Sequence, residues 1–267
     1  MAIKLAQKLY CLKQIVAGMG SVVVAYSGGT DSTLLLKIVS QVLKKKDFVV
    51  VVVDSAFLTR EEVKSALKLA KGWNIRVKLL KCDVLSDPVI RSNPRLRCYF
   101  CKKKIMRNLV NIRKSNGFGY VIDGSNADDF KQLRPGKRAL RELGVRSPLA
   151  EARLNKSEIR VLARRLKLTN WAKPASSCLA TRFPYGVLLK RRDLLRVAWA
   201  ERLLKGRGFK QVRVRVYGKL ARIEVEKEKI KKLAGIFDKK LAKKFKKIGY
   251  QHVCLDLEGY CSGSMDI

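Results

Sequence analysis

A β-branched run, Ser21 to Tyr26, stops at Ser27 and turns through Gly28 and Gly29. A helical pattern then begins at Ser32 and carries Leu34, Leu35, Ile38, Val39 and Val42. Glycine allows a tight turn and close approach to a ligand, and the helix that follows aims free N–H groups at it. The same grammar recurs downstream. Phe48–Val53 reads as a strand ending at Asp54, and Thr59 to Glu62 forms a capping box that opens a helix reaching about Gly72. Arg76–Cys82 reads as a third strand, Cys98–Ser115 as a basic helix, and Tyr120–Ile122 as a fourth strand before Asp123-Gly-Ser-Asn-Ala-Asp-Asp129. Residues 137–143 and 156–167 are helical in pattern. Strands alternating with helices predict an α/β fold with a doubly wound parallel sheet.

Beyond an irregular loop at 171–186 the pattern changes. A helix at 190–206, strands at Gln211–Tyr217 and Ala221–Glu226, a lysine-rich helix at 228–247 and a strand at 252–258 predict a smaller α+β module. The expected domains are therefore 1–185 and 186–267, consistent with 267 residues. No stretch approaches the apolar length of a membrane span, and the N-terminus lacks a signal-cleavage pattern, so a cytoplasmic protein without a membrane partner is expected.

Charge is the outlier: 59 Lys and Arg against 22 Asp and Glu give +37, which invites a nucleic-acid reading. The excess is spread along the chain, and runs such as Lys243-Lys244-Phe245-Lys246-Lys247 also suit solvated helix faces. Nucleic acid is thus open as a partner without being favoured. The single histidine, His252, argues against imidazole catalysis and His-rich metal sites.

Ser27-Gly28-Gly29-Thr30-Asp31-Ser32 lacks the lysine of a Walker loop and the three glycines of a dinucleotide fingerprint. It resembles the SGGxDS signature of the PP-loop ATP pyrophosphatases, which share an adenine nucleotide alpha hydrolase-like fold. Those enzymes split ATP between its α- and β-phosphates. The resemblance implies that Ser27, Gly28, Gly29 and Ser32 bind phosphate oxygens. Asp31 would then orient the pyrophosphate or its Mg²⁺.

Seven cysteines in such a chain do not suggest a disulfide framework. Cys98 and Cys101 form a C-x-x-C at a helix start among cations, a setting that stabilises thiolate. Two thiolates complete neither a zinc site nor an iron–sulfur centre. Cys11, Cys82 and Cys254 read as packing residues, whereas Cys178 lies in the irregular "KPASSCLATRFPYG".

Seven blocks in order are similar to the LarE family: "AYSGGTDSTLLL", "NPRLRCYFCKK", "DGSNADD", "RPGKRALRELGVRSPLAEA", "KPASSCLATRFPYG", "QVRVRVYGKLARIEV" and "LDLEGYCSGSM". The resemblance implies an ATP-dependent sulfur transferase. Such an enzyme adenylates a carboxylate of a small anionic substrate, pyridinium-3,5-biscarboxylic acid mononucleotide, and replaces oxygen with sulfur for the nickel-pincer nucleotide cofactor. One branch of the family sacrifices a single cysteine; the other holds a [4Fe-4S] cluster on three, fed by a sulfide donor. Cysteines stand here at all three matching positions, 98, 101 and 178, which resembles the cluster branch. By matching position, Asp54, Asn126 and Asp128 lie near ATP and its metal, and Arg134 and Arg182 near the nucleotide or acyl-adenylate. Arg213 and Arg215 match residues on the substrate phosphate, and Glu201 and Glu224 match acidic residues near sulfur transfer. A homo-oligomer is expected. The alternatives are a tRNA thiolase, which shares SGGxDS and three cysteines, and a non-catalytic nucleotide-binding scaffold.

Overall fold

A computed structural model describes residues 2–131, 135–174, 176–261 and 263–265. The helices of the first part are α1 (Ala2–Gly18), α2 (Thr30–Val42) and α3 (Arg60–Lys71), then the short α4 (Pro88–Arg91) and the long α5 (Arg97–Ser115). They are followed by α6 (Ala127–Lys131), α7 (Pro135–Glu142), α8 (Pro148–Glu151) and α9 (Lys156–Arg165). Strands β1 (Val22–Tyr26), β2 (Phe48–Asp54), β3 (Val77–Lys81) and β4 (Tyr120–Ile122) alternate with them. The remainder holds α10 (Arg191–Lys205), β5 (Val212–Tyr217), β6 (Leu220–Val225), α11 (Ile230–Ile236), α12 (Lys239–Lys247) and β7 (His252–Leu255).

The first sheet is parallel in the order β3-β2-β1-β4. Its strands are apolar on both faces because both are covered. Val22, Val24, Tyr26, Val50 and Val52 pack with residues of α1, α2 and α9. Val23, Val49, Val51 and Val121 point the other way, onto Met106 and Leu109 of α5 and Leu140 of α7. This is the doubly wound arrangement expected from the alternation. The chain runs outward from β1 through β2 and β3, then returns to place β4 on the other side of β1. The loops leaving β1 and β4 therefore diverge at a topological switch point, where open α/β sheets bind ligands.

The second sheet has the order β5-β6-β7, with an antiparallel hairpin and a parallel third strand. Two boundaries differ from expectation. The lysine-rich helix is two helices, because Asp238 accepts a hydrogen bond from Leu241 N and starts α12 afresh. The division of the chain into compact units falls between Ser176 and Ser177, not near 185, and residues 85–95 join the second unit. Hydrogen bonds explain that excursion: Asn93 Nδ2 donates to Pro184 O, Gly186 N to Asn93 O and Leu189 N to Arg91 O. Among the described residues, no helix is long and apolar enough to cross a membrane.

Candidate functional site

In the first unit the β1–α2 turn is built for close approach. Helix α2 starts at Thr30, two residues earlier than the apolar pattern indicated, with Gly29 as its N-cap. Gly28 has φ +69°, and a Cβ there would come within 2.8 Å of Ala66 Cβ on α3, so only glycine fits. Gly124, in the loop after β4, is as constrained: its Cβ would meet Ser32 Cα at 2.9 Å. Ser27 Oγ and Ser32 Oγ lie 3.1 Å apart, and Ser32 Oγ also donates to Gly29 O. The result is a ring of hydroxyls and first-turn amides at a helix N-terminus, which suits phosphate oxygens.

Asp31 is the hub of the switch-point loops. Its Oδ2 accepts from Asn126 Nδ2 at 2.9 Å, and its Oδ1 is paired with Lys156 Nζ at the start of α9. Asn126 Oδ1 accepts from the Asp128 and Asp129 amides, and Asp128 Oδ2 accepts from Lys156 N. Asp54 ends β2, the neighbour of β1 in the sheet. The structure thus joins Asp31, Asn126 and Asp128 directly. Expected Arg134 lies outside the described residues.

Four residues of this loop system were not among the candidate site residues read from the sequence. Lys156 brings a cation onto Asp31 from a helix 125 residues away. Asn170 donates to Gly28 O and Thr33 Oγ1, and Lys173 Nζ donates to Gly28 O at 3.2 Å. Asp123 is buried at the end of β4, where it accepts from Lys102 Nζ, Ser125 Oγ and Ser147 Oγ. Burial pushes the Asp123 carboxyl up, but the Lys102 ammonium and the hydroxyls outweigh it and hold the pKa below the ordinary aspartate value. Lys173 left a local signal, beside the cysteine in "KPASSC", and Asp123 opens the quoted "DGSNADD"; Lys156 and Asn170 meet the loop through long-range packing.

Cys98 and Cys101 lie in the first and second turns of α5, three residues apart and so on neighbouring positions of one face. Cys98 is exposed and Cys101 half-buried. Buried Arg97 places Nη2 3.9 Å from Cys98 Sγ. The next residue, Lys102, makes the Asp123 bond, which ties the cysteine turn to the loop after β4. Among the described residues, no three His, Cys, Asp or Glu side chains converge on a metal-sized space. Cys11 and Cys254 are exposed rather than packed, while Cys82 is buried.

In the second unit Cys178 precedes a 3-10 turn, Leu179–Arg182. The Arg182 side chain folds back: Nη1 donates to Ser177 O, Ser177 Oγ, Cys178 O and Thr181 Oγ1. Its Nε and Nη2 form a two-pronged pair with Glu201 at 2.8 and 3.1 Å. Arg215 Nε bonds both oxygens of Glu224 at 2.9 Å, and its Nη1 reaches Thr181 O. Arg213 lies over the Tyr260 ring at 5.3 Å. All five charged residues are at most 4% exposed. Three guanidiniums face two carboxylates, leaving an excess of positive charge. Burial first, and the like charge of Arg182 second, push Arg213 below the ordinary arginine pKa. A bound anion would relieve that cost.

The sequence profile of the NAD synthase family matches residues 5–92, the part containing the glycine turn. A protein of Lactiplantibacillus plantarum named pyridinium-3,5-bisthiocarboxylic acid mononucleotide synthase is 38% identical over 262 residues, covering 98% of this chain and 95% of that protein. An uncharacterised protein of Synechocystis is 39% identical over 263 residues, 98% of each chain. Another from Methanocaldococcus jannaschii is 32% identical across 90% of this chain and 91% of its own length.

Proposed function

The chain belongs to the LarE family of PP-loop ATP-dependent sulfur transferases, and we propose that it converts carboxylates of pyridinium-3,5-biscarboxylic acid mononucleotide to thiocarboxylates. One observation carries the reading. The segment that leads to Cys178 is tethered to the ATP loop's own unit, by Lys173 Nζ on Gly28 O and by Ser176 Oγ on Glu62. Cys178 follows two residues later, so the chain holds its Cα within roughly 7 Å of Ser176 Cα. The segment that holds the glycine loop's backbone therefore runs, two residues on in the sequence, into the cysteine.

The chemistry needs two displacements. A substrate carboxylate oxygen attacks the α-phosphorus of ATP, the α–β bridge breaks and pyrophosphate leaves. A sulfur nucleophile then attacks the acyl carbon, and AMP departs with the oxygen. The amides and hydroxyls of Ser27–Ser32 stabilise charge on the departing pyrophosphate, and Asp31 with Asn126 and Asp128 offers oxygen ligands suited to Mg²⁺. Arg213 and Arg215 receive the substrate phosphate, with Glu224 holding Arg215 in place. Arg182, spent on Glu201 and the Ser177–Cys178 carbonyls, serves to shape the cysteine turn more than to meet nucleotide. Mixing protein, Mg²⁺-ATP and substrate should yield AMP and pyrophosphate on anion exchange. ADP and phosphate would overturn the loop assignment, and thiolated tRNA without reaction of the pyridinium nucleotide would overturn the acceptor.

The sulfur source in this reading is a [4Fe-4S] cluster on Cys98, Cys101 and Cys178. The donor set suits it: thiolates one helical turn apart give two ligands, Cys178 gives a third, and Arg97 and Lys102 offset negative charge. Held by these three thiolates, such a cluster would supply replaceable sulfur for the transfer. Anaerobic reconstitution should give a Mössbauer signature of a four-iron cluster, lost in Cys98→Ser. Normal transfer by Cys98→Ser and Cys101→Ser proteins, with Cys178 lighter by about 34 Da (loss of H₂S), would instead establish the sacrificial route.

A further inference from the structure

The second unit carries a cleft on the side of α10 opposite Glu201. Leu194, Val197, Glu201 and Leu204 turn inward, whereas Trp199, Arg202, Leu203 and Gly206 follow one another at i, i+3, i+4 and i+7 on the other face. With Arg207 and Lys244 of α12 they line a cleft of about 560 Å³. No carboxylate lines it among the described residues. Lys244 is also the centre of a stripe on α12, since Lys240 and Lys247 lie four residues before and three after it, all solvent-exposed. Leu241 and Phe245 bury the helix's other side.

We propose that this face binds a single-stranded nucleic acid, one base of which stacks on Trp199 while flanking phosphates lie along Arg202, Arg207 and the Lys240–Lys244–Lys247 stripe. Three properties favour that occupant. A half-buried indole lines the cleft together with the apolar Leu203, and every base has a π-face to place on an indole. The cations extend past the cleft along a helix, a distribution that matches a chain of phosphates better than the one phosphate group of a mononucleotide. Among the described residues the cleft has no lining carboxylate to repel the backbone. None of these residues belongs to the buried Arg–Glu network, so this surface is separate from the proposed sulfur-transfer reaction.

The test uses the full chain and a fluorescein-labelled ten-nucleotide oligouridylate, read by anisotropy across salt concentrations. Trp199→Ala should weaken binding about 5- to 150-fold, the range expected for loss of one stacked base. The Lys244→Glu/Lys247→Glu variant changes two exposed positions and leaves the core intact. It should flatten the log–log salt slope by about 0.7 for each phosphate that the protein no longer neutralises. Both variants should form AMP from ATP at the wild-type rate. Equal binding of heparin or of a duplex of the same length, insensitive to Trp199→Ala, would overturn the proposal. Displacement of the oligomer by stoichiometric AMP would also overturn it, by showing a mononucleotide site.

Discussion

Asp31→Asn is expected to lower AMP and pyrophosphate formation by roughly 100-fold or more, the scale on which removal of one preorganised electrostatic partner acts. Asparagine keeps the shape and the capacity to bond Asn126, so the loop persists and the melting temperature should hardly move. What is lost is the anionic oxygen that a hard divalent cation requires, together with the partner of Lys156. Turnover by the variant at the wild-type rate would sink the assignment of Asp31 to the metal and pyrophosphate.

Glu224→Ala is expected to produce the largest loss of stability. Its side chain is 1% exposed and that of Arg215 is 5% exposed, and removing the carboxylate leaves a guanidinium buried among other guanidiniums. Breaking a buried pair in this way costs roughly 3–5 kcal/mol, which corresponds to a fall of roughly 15–25 °C for a unit of about 100 residues. Because an isolated buried pair is commonly replaceable by apolar residues of similar volume, Glu224→Leu/Arg215→Met should recover much of the melting temperature without recovering sulfur transfer. A Glu224→Ala protein that melts like the wild type would show the network to be solvated, and the phosphate role drawn from its buried charge would fall with it.

Much of the first unit was legible because its signals are local. The glycines at 28 and 29, the Thr59–Glu62 box and the apolar runs at β1 and β2 state their conformations within a few residues. The same holds for the C-x-x-C at the start of α5. The break between α11 and α12 was obscured because lysine-rich segments on either side of Asp238 share one composition, and a single side-chain cap separates them. The excursion of residues 85–95 into the second unit was invisible, since Asn93 reaches carbonyls about 90 residues away.

The sequence by itself determined the α/β grammar, the glycine turn after β1, the C-x-x-C spacing and the two-residue spacing of Arg213 and Arg215. Each of these depends on residues within one turn of helix or one stretch of strand, where covalent geometry decides. Only the tertiary structure decided that Lys156, not a neighbouring lysine, faces Asp31, and that Asn170 and Lys173 hold the backbone of Gly28. It also decided that Arg182, Arg213 and Arg215 are buried against Glu201 and Glu224, when any of them could have been a surface charge in so basic a chain. The physical reason is common to all of these pairings. An ion pair depends on which helices and strands the core brings together and on how much water it excludes, and neither quantity is written in a local run of residues.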